Sequence, residues 1–550
     1  MGTVVSARAG GGARTWEGGR RERPAARRSV AAASSSSGRF DARASASTSA
    51  DRKVNPEVSA EDVASEEAAV VERRVVAKRE DSVKTAAREF KRRFQTRDAR
   101  CIVLAGGADE RNPLTRRRAR SAVHLAGTYR VIDFPMSNLI NSGMRQVYVL
   151  TQFNSHSLVT HVNRAFPVEM FGTDNNGFVE VLPTSQTREH GETWSLGSAD
   201  CVQRHMQSGA LTKHTYEQRM EDECMKRLGS LDECLTSELE GITVVLAAEA
   251  LYTMDFVELL ADHLATEADI TIATCHNIKS DDASAFGIMD VNEETGKVEY
   301  FIEKPTKTQL LEFIHCTTEE LDGCMLDANM GVYVFNNSVL KELLRDSKSV
   351  VNPGERHEFG KDVIPYAIAH GYDVRAFRHS EYWQPLRSLR DIYDANISIA
   401  TGGQAAGLLK HGRQVYTKPN FLPPTTFHGS IMTERTIFAD GCVVKDGSKI
   451  IDSVIGACTV IDKNVSLEGV VVVGRDEIMK RSGGVSTPDI GANTIIRKCI
   501  IDSDSIIGAN VRILNEAGIE ELDRTEEGYV ISDGIVTILG GATIPDGFII

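Results

Sequence analysis

The chain has 550 residues, 41% hydrophobic and 25% charged, a globular balance over too great a length for one compact core, so two or more domains are expected. It contains no run of about eighteen consecutive apolar residues, which excludes a recognisable membrane-spanning helix. Its formal net charge of −14 excludes a protein that coats nucleic acid through a basic face.

The charge is uneven along the chain. Residues 1–50 carry nine Arg and three acids, a net +6, which leaves −20 for the remainder of the −14 total. This segment is rich in Ala, Ser and Gly, includes the run Ser34 to Ser37, and has almost no large apolar side chains. It cannot bury enough surface to fold alone. Its composition reads as an organelle transit peptide, with a disordered tail as the alternative. Residues 51–98 alternate acid and base and read as a solvated linker, partly helical. The ten Cys stand singly without a CxxC pair, so no structural zinc site is expected and a reducing compartment suits them.

Regular structure is expected from Cys101 onward. "RCIVLAGG" is a short apolar run ending in glycines, the pattern of a buried parallel strand that feeds a loop. "QVYVLTQ", "ITVVLAAEALY" and "DITIATCHN" read as further strands, and "SHSLVTHVNRAF" and "DFVELLADHLATEA" as helices. The alternation predicts βαβ units and a mixed or parallel sheet, with ligands at the carboxyl ends of the strands. Between residues 214 and 240, apolar side chains three or four apart (Tyr216, Met220, Cys224, Leu228, Leu231, Leu235, Leu239) predict an amphipathic helix or helix pair. A packed surface elaboration is the expected role.

The period then changes. After "NFLPPTTF", Ile437, Val443, Ile455, Ile461, Leu467 and Val473 fall on a six-residue grid with one slot displaced to Ile450. Ile495, Ile501, Ile507 and Ile513 fall on a second grid, and "IGAN" occurs at 490–493 and again at 507–510. One aliphatic per six residues is the signature of a left-handed parallel β-helix. Its open ends and flat faces suit contacts between subunits.

The segment "LAGGADERNPLTRRRARSAV" follows the first strand. Glycines there let backbone N–H groups approach phosphates, and Arg111, Arg116, Arg117, Arg118 and Arg120 are cations that suit a polyphosphate. A solvated basic face is the alternative reading of the same arginines.

From about residue 99 to the C-terminus the chain resembles the ADP-glucose pyrophosphorylases (glucose-1-phosphate adenylyltransferases). The resemblance is carried in order by this loop, "YRVIDFPMSNLINSG", "VYVLTQFNSHSL", "GFVEVLP", "GSADCV", "LYTMDF", "FGIMDV", "EKP", "MGVYVF", "FLPP", "RKCIIDSDSIIGANVRI" and "EEGYVISDGIVTI". "FPMSN" and "RKCII" are more similar to the large, regulatory subunit of the plastid enzyme. The resemblance implies an α/β chain with a Rossmann-like nucleotidyltransferase domain at 99–400, a connector at 401–430 and a left-handed β-helix at 431–550. It implies a reaction of ATP with glucose 1-phosphate to give ADP-glucose and pyrophosphate, assisted by Mg²⁺. It also implies a starch-synthesis role in the plastid, inside a heterotetramer with a catalytic small subunit.

Residue by residue, the resemblance keeps the sugar half of the site and loses much of the rest. Ala105, Gly106 and Gly107 match the nucleotide loop, and Gly197, Glu303, Lys304 and Asn329 match sugar-phosphate positions, with Asn329 replacing Ser. The loop gains Asp109 and Glu110 where a triphosphate should lie. At ~4 Å and an effective dielectric near 20, each like-charge contact costs on the order of 4 kcal/mol. Arg111 is a degenerate match in that loop, and Arg120 replaces the catalytic Lys. The two metal-binding Asp positions are Glu249 and Pro385. Mg²⁺ needs tight octahedral geometry, so the chain's own metal site is expected to be crippled. Effector positions also depart: Ser503, Gly540, Gly541, Asn420 and Thr426 stand at family cationic sites, leaving Lys418, Arg497 and Lys498 as candidate anion contacts. The expected role is a regulatory-type subunit weak or inactive in catalysis. A non-enzymatic sugar-phosphate sensor or scaffold is the alternative.

Overall fold

The computed structural model describes residues 99–550 apart from 108–110, 172–176, 185–194, 208–240, 315–323, 353–354, 410–412 and 476–487. The expected leader, the linker and the whole of the 214–240 helical insertion lie outside the described residues, as do Asp109 and Glu110.

Nine strands form the large sheet: β1 Arg100–Leu104, β2 Gln146–Thr151, β3 Phe178–Pro183, β4 Ile242–Ala247, β5 Ile270–Lys279, β6 Gly287–Val291, β7 Val298–Glu303, β8 Met325–Asn336 and β9 Val374–His379. Their order is β7-β6-β8-β4-β1-β2-β3, with β5 between β8 and β9. Strands β4, β1, β2 and β3 run parallel, whereas β8 is antiparallel to β4, β5 and β6. The sheet is therefore mixed. Strand β1 is apolar without alternation because helices cover both faces, as a buried parallel strand requires. The helix expected after "LYTMD" is Phe256–Ala265, opened by Asp255, whose side chain accepts from Val257 N at 3.0 Å.

One expected strand is two. "ITVVLAAEALY" breaks after Ala247 and resumes as Ala250–Tyr252 in a separate two-stranded sheet with Trp383–Pro385. An unbroken apolar run hides the kink, because hydrophobicity reports burial and not direction. The residue at the kink is Glu249.

The C-terminal region is a parallel β-helix whose first paired strand is Thr426–Phe427. Its period corrects the six-residue grid. Met432 pairs with Lys449 and Lys449 with Ser466, so one coil spans 17 residues, the separation also seen between Asn493 and Asn510. The buried columns run Val444, Ile450, Ile455, Ile461, Leu467, Val472 and then Ile490, Ile496, Ile501, Ile507, Ile513. Inward residues thus recur at steps of six, five and six. The five-residue side shifts the grid by one position each turn, so Val444 and Val472 point inward more fully than the expected Val443 and Val473. The repeated "IGAN" marks a corner. Asn464, Asn493 and Asn510 share a left-handed backbone, with φ of 56°, 57° and 57°, and hand a side-chain hydrogen bond from coil to coil at 3.2 Å.

The two regions meet along helix Leu389–Thr401. Its Leu389, Ile392, Tyr393 and Ala395 pack with Val454, Val471, Ile500 and Ile535 of the β-helix. Tyr393 also donates to the Gly469 carbonyl at 2.8 Å. Among the described residues no helix is long and apolar enough to cross a membrane, and no group of three His, Cys, Asp or Glu is placed to hold a metal.

Candidate active site

Three neighbouring parallel strands deliver the first half of the site. Ala105 follows β1 and donates to the Leu150 carbonyl at 2.9 Å, while Ala248 follows β4 and donates to the Leu104 carbonyl at 3.0 Å. Their carboxyl ends therefore lie level, and each releases one residue of interest: Gly106–Gly107 from β1, Gln152 from β2 and Glu249 from β4. The glycines are needed here. A Cβ on Gly107 would stand 1.6 Å from Glu249 Oε1, and one on Gly106 would stand 2.9 Å from Gln152 Cβ. The Glu249 carboxylate thus lies against the glycine loop.

Arg120 meets it there. The Arg120 N–H donates to the Gly107 carbonyl at 3.1 Å, and its Nη1 donates to Glu249 Oε2 at 2.8 Å. The pair is largely buried, with side chains 16% and 24% exposed. The residue expected to neutralise phosphate and the residue expected to hold metal neutralise one another. Arg111 is exposed beside residues 108–110.

Pro385 lies on the strand next to Glu249. It pairs with Ala250 across the short two-stranded sheet, and the next residue, Leu386, donates to the Glu249 carbonyl at 3.0 Å. Pro385, expected at the second metal position, thus lies one strand away from Glu249 and brings no side-chain donor atom to it. With Glu249 held by a guanidinium, the described side chains here do not fit a divalent cation, which needs several oxygen ligands.

The second half is built around Glu303 at the end of β7. A Cβ on Gly360 would stand 2.5 Å from Glu303 Oε2 and one on Gly287 2.7 Å away, so two glycines make room for this carboxylate. Burial pushes its pKa up, with Lys304 opposing the shift and Glu358 adding to it. Lys304 adopts φ of 48°, donates its N–H to the Phe286 carbonyl at 2.8 Å, and places Nζ 3.9 Å from Glu303 Oε1 with the side chain 63% exposed. A left-handed lysine is held by its surroundings, since nothing in its own chemistry favours that conformation.

Asn329 and Gly197 complete this half. Asn329 Nδ2 donates to Tyr333 Oη at 2.6 Å, and Asn329 Oδ1 accepts from Gly331 N at 2.9 Å. Burial raises the pKa of Tyr333, so its hydroxyl stays protonated. Gly197 has φ of 102°, and a Cβ there would lie 2.3 Å from the His357 carbonyl. The turn is fastened by Asp200, which accepts from Leu196 N at 2.9 Å and pairs with Lys348 and Arg204. Burial opposes the Asp200 charge, but these donors outweigh it and hold its pKa below the usual value.

A carboxylate, a lysine and glycine turns thus stand beside the carboxyl ends of parallel strands. Comparison agrees with this plan: the family model described as Nucleotidyl transferase matches residues 100–402, and the GLGC left-handed parallel beta-helix domain matches residues 420–549. The chain belongs to the nucleotidyl transferase family. The two matches together are typical of the ADP-glucose pyrophosphorylases.

In this nucleotidyltransferase the loop arginines are spent elsewhere than expected. Arg116 bonds Thr525 Oγ1 at 2.8 Å and Asp523 at 3.3 Å, and Arg117 donates to the Gly540 carbonyl at 3.1 Å. Arg118 is paired with Asp502 at 2.9 Å and donates to Ser503 Oγ at 2.8 Å, with Arg118 and Asp502 side chains both 7% exposed. All three hold the β-helix and leave the polyphosphate reading to Arg111 and Arg120. The partners include Ser503 and Gly540, two of the positions where the family resemblance places effector lysines. Arg497 pairs with Glu468 at 3.1 Å on the exposed face of the β-helix, Lys498 follows it with φ of 45°, and Lys418 is half-buried in the connector.

Gln152, Glu358, Tyr333 and Arg387 belong to the site and were not singled out from sequence. Gln152 had a usable signal, since it follows a strand at the level of the glycine loop. The other three are assembled by the tertiary fold.

Proposed function

We propose that the chain is a large-type, regulatory subunit of a glucose-1-phosphate adenylyltransferase, acting in starch synthesis within a heterotetramer and nearly inactive by itself. One observation carries the reading: Arg120 and Glu249 form an ion pair beside Pro385, while Gly197, Glu303, Lys304 and Asn329 keep an ordered sugar-phosphate half-site. In the full reaction a sugar-phosphate oxygen attacks the α-phosphorus of ATP, so the protein's task is positioning and charge neutralisation. Lys304 offers a mobile cation to the sugar phosphate, and Glu303 accepts from sugar hydroxyls. The nucleotide half offers a cation already neutralised by Glu249. The catalytic partner supplies turnover, and this chain supplies assembly and sugar-phosphate sensing.

The test is ADP-glucose formation from ATP, glucose 1-phosphate and Mg²⁺ by the purified chain, alone and co-expressed with a catalytic small subunit. The reading expects negligible turnover alone and stable co-purification. Turnover alone at the level of an ordinary family member would refute it. Sugar-phosphate binding without any co-purification would favour the stand-alone sensor. The plastid assignment is tested by N-terminal sequencing of native protein, which should start beyond residue 50.

A further inference from the structure

Among the described residues Arg387 forms no salt bridge, although it is half-buried. Its Nη1 donates to the Ala285 carbonyl at 2.7 Å, and its guanidinium lies 4.0 Å over the Phe286 ring. The two nearest candidates for neutralising it are accounted for otherwise. Asp391 receives the Arg387 and Ser388 backbone N–H groups at 2.9 and 2.8 Å as part of a helix capping box, and Asp282 acts on it only at longer range. Burial and the neighbouring Arg120 both disfavour its charge. A stacked guanidinium in such surroundings gains from an incoming anion.

Its place in the site makes the anion specific. On one side, Leu386 is bonded to the backbone of Glu249, whose carboxylate holds Arg120 beside the glycine loop. On the other, Ala285 precedes Phe286, whose carbonyl receives the Lys304 N–H. Arg387 therefore stands between the nucleotide half and the sugar-phosphate half. A guanidinium at this place suits the bridging phosphates of a molecule that spans both halves.

We propose that Arg387 takes over the role of the lost metal ligand, so that this site binds a nucleoside diphosphate sugar through guanidinium contacts to its diphosphate, independently of a divalent cation. This rests on the sugar-phosphate reading of Glu303 and Lys304. The chemistry is direct. A fixed guanidinium offers two parallel donors to two phosphate oxygens, whereas the Pro385 and Glu249 positions offer a metal no adequate cage. Arg120 stays paired with Glu249, which leaves Arg387 to carry the diphosphate contact.

The test is calorimetric titration of the full chain with ADP-glucose and, separately, with glucose 1-phosphate, each in excess EDTA and in Mg²⁺. ADP-glucose affinity should change less than about twofold between the two conditions. Arg387→Gln keeps a donor for the Ala285 carbonyl and removes the charge. It should weaken ADP-glucose by about tenfold or more, the scale of one charge-assisted contact, and leave glucose 1-phosphate within about threefold. Arg387→Lys should recover part of the loss. Equal thermal unfolding of the Gln and Lys variants shows that the fold is kept. ADP-glucose binding that requires Mg²⁺, or that ignores Arg387→Gln, overturns the proposal while leaving the sugar-phosphate reading intact, provided that glucose 1-phosphate binds. Failure of both ligands to bind overturns both.

Discussion

The two halves of the candidate site are built differently. Around Glu303 the backbone is still bent to serve a side chain: two glycines clear space for the carboxylate, Lys304 is held at φ of 48°, and Gly197 accepts a neighbour that no Cβ could tolerate. Around Gly107 the charged side chains serve each other or the scaffold. Arg120 holds Glu249, and Arg116, Arg117 and Arg118 hold the β-helix. The difference teaches that a charged cluster near a glycine loop is no measure of phosphate affinity. What matters is how much of the charge is uncommitted, because a buried cation already paired gains little from a new anion.

The largest effect should follow from breaking the scaffold role. Arg118→Ala leaves Asp502 buried without its partner and should destabilise the chain by about 3–5 kcal/mol, read from the denaturant midpoint. Replacing both members by apolar residues of similar size should recover most of that loss. Arg116→Ala, at a solvent-exposed pair, should leave the midpoint unchanged.

Restoring the phosphate half comes next. Pro385→Asp combined with Arg120→Lys and Glu249→Asp should raise ADP-glucose formation by the isolated chain about a hundredfold, the scale of one recovered electrostatic group. An unchanged rate would place the block in Asp109 and Glu110 instead.

The sugar half is sharpened by pH and by charge removal. The folded pKa of Glu303 is raised above its ordinary 4.5, chiefly by burial. Folding therefore favours the protonated form, and the stability that this contributes at acid pH is lost as pH rises through the raised value. Ligand binding runs the opposite way, since only the carboxylate accepts from two sugar hydroxyls. Glucose 1-phosphate affinity should fall on acidification both as the ligand's phosphate protonates near pH ~6 and as Glu303 does, and Glu303→Gln should remove the second part while leaving the first. The smallest effect is that of Lys304→Ala, which should weaken glucose 1-phosphate by somewhat more than about 1 kcal/mol in calorimetry because the lysine is largely exposed.

The sequence by itself determined the two-part architecture, the strands that carry the glycine loop, and the repeat that makes a β-helix. These depend on local periodicity, which each segment displays alone. The resemblance put Glu249 and Pro385 at the two metal positions, and in the fold Pro385 pairs with Ala250, the residue after Glu249. It could not determine the 17-residue coil, because an aliphatic pair such as Val443–Val444 offers two equally good candidates for the inward position. Nor could it say what the arginines do. Arg120 and Glu249 are 129 residues apart, and Arg118 and Asp502 are 384 apart. Arg116, Arg117, Arg118 and Arg120 are alike in composition and adjacent in chain, so only the direction in which the folded backbone turns each of them assigns one to the site and three to the β-helix. Arg387 shows the same limit from the other side. That it has no ion-pair partner among the described residues is a property of everything packed around it, and no stretch of sequence contains that information.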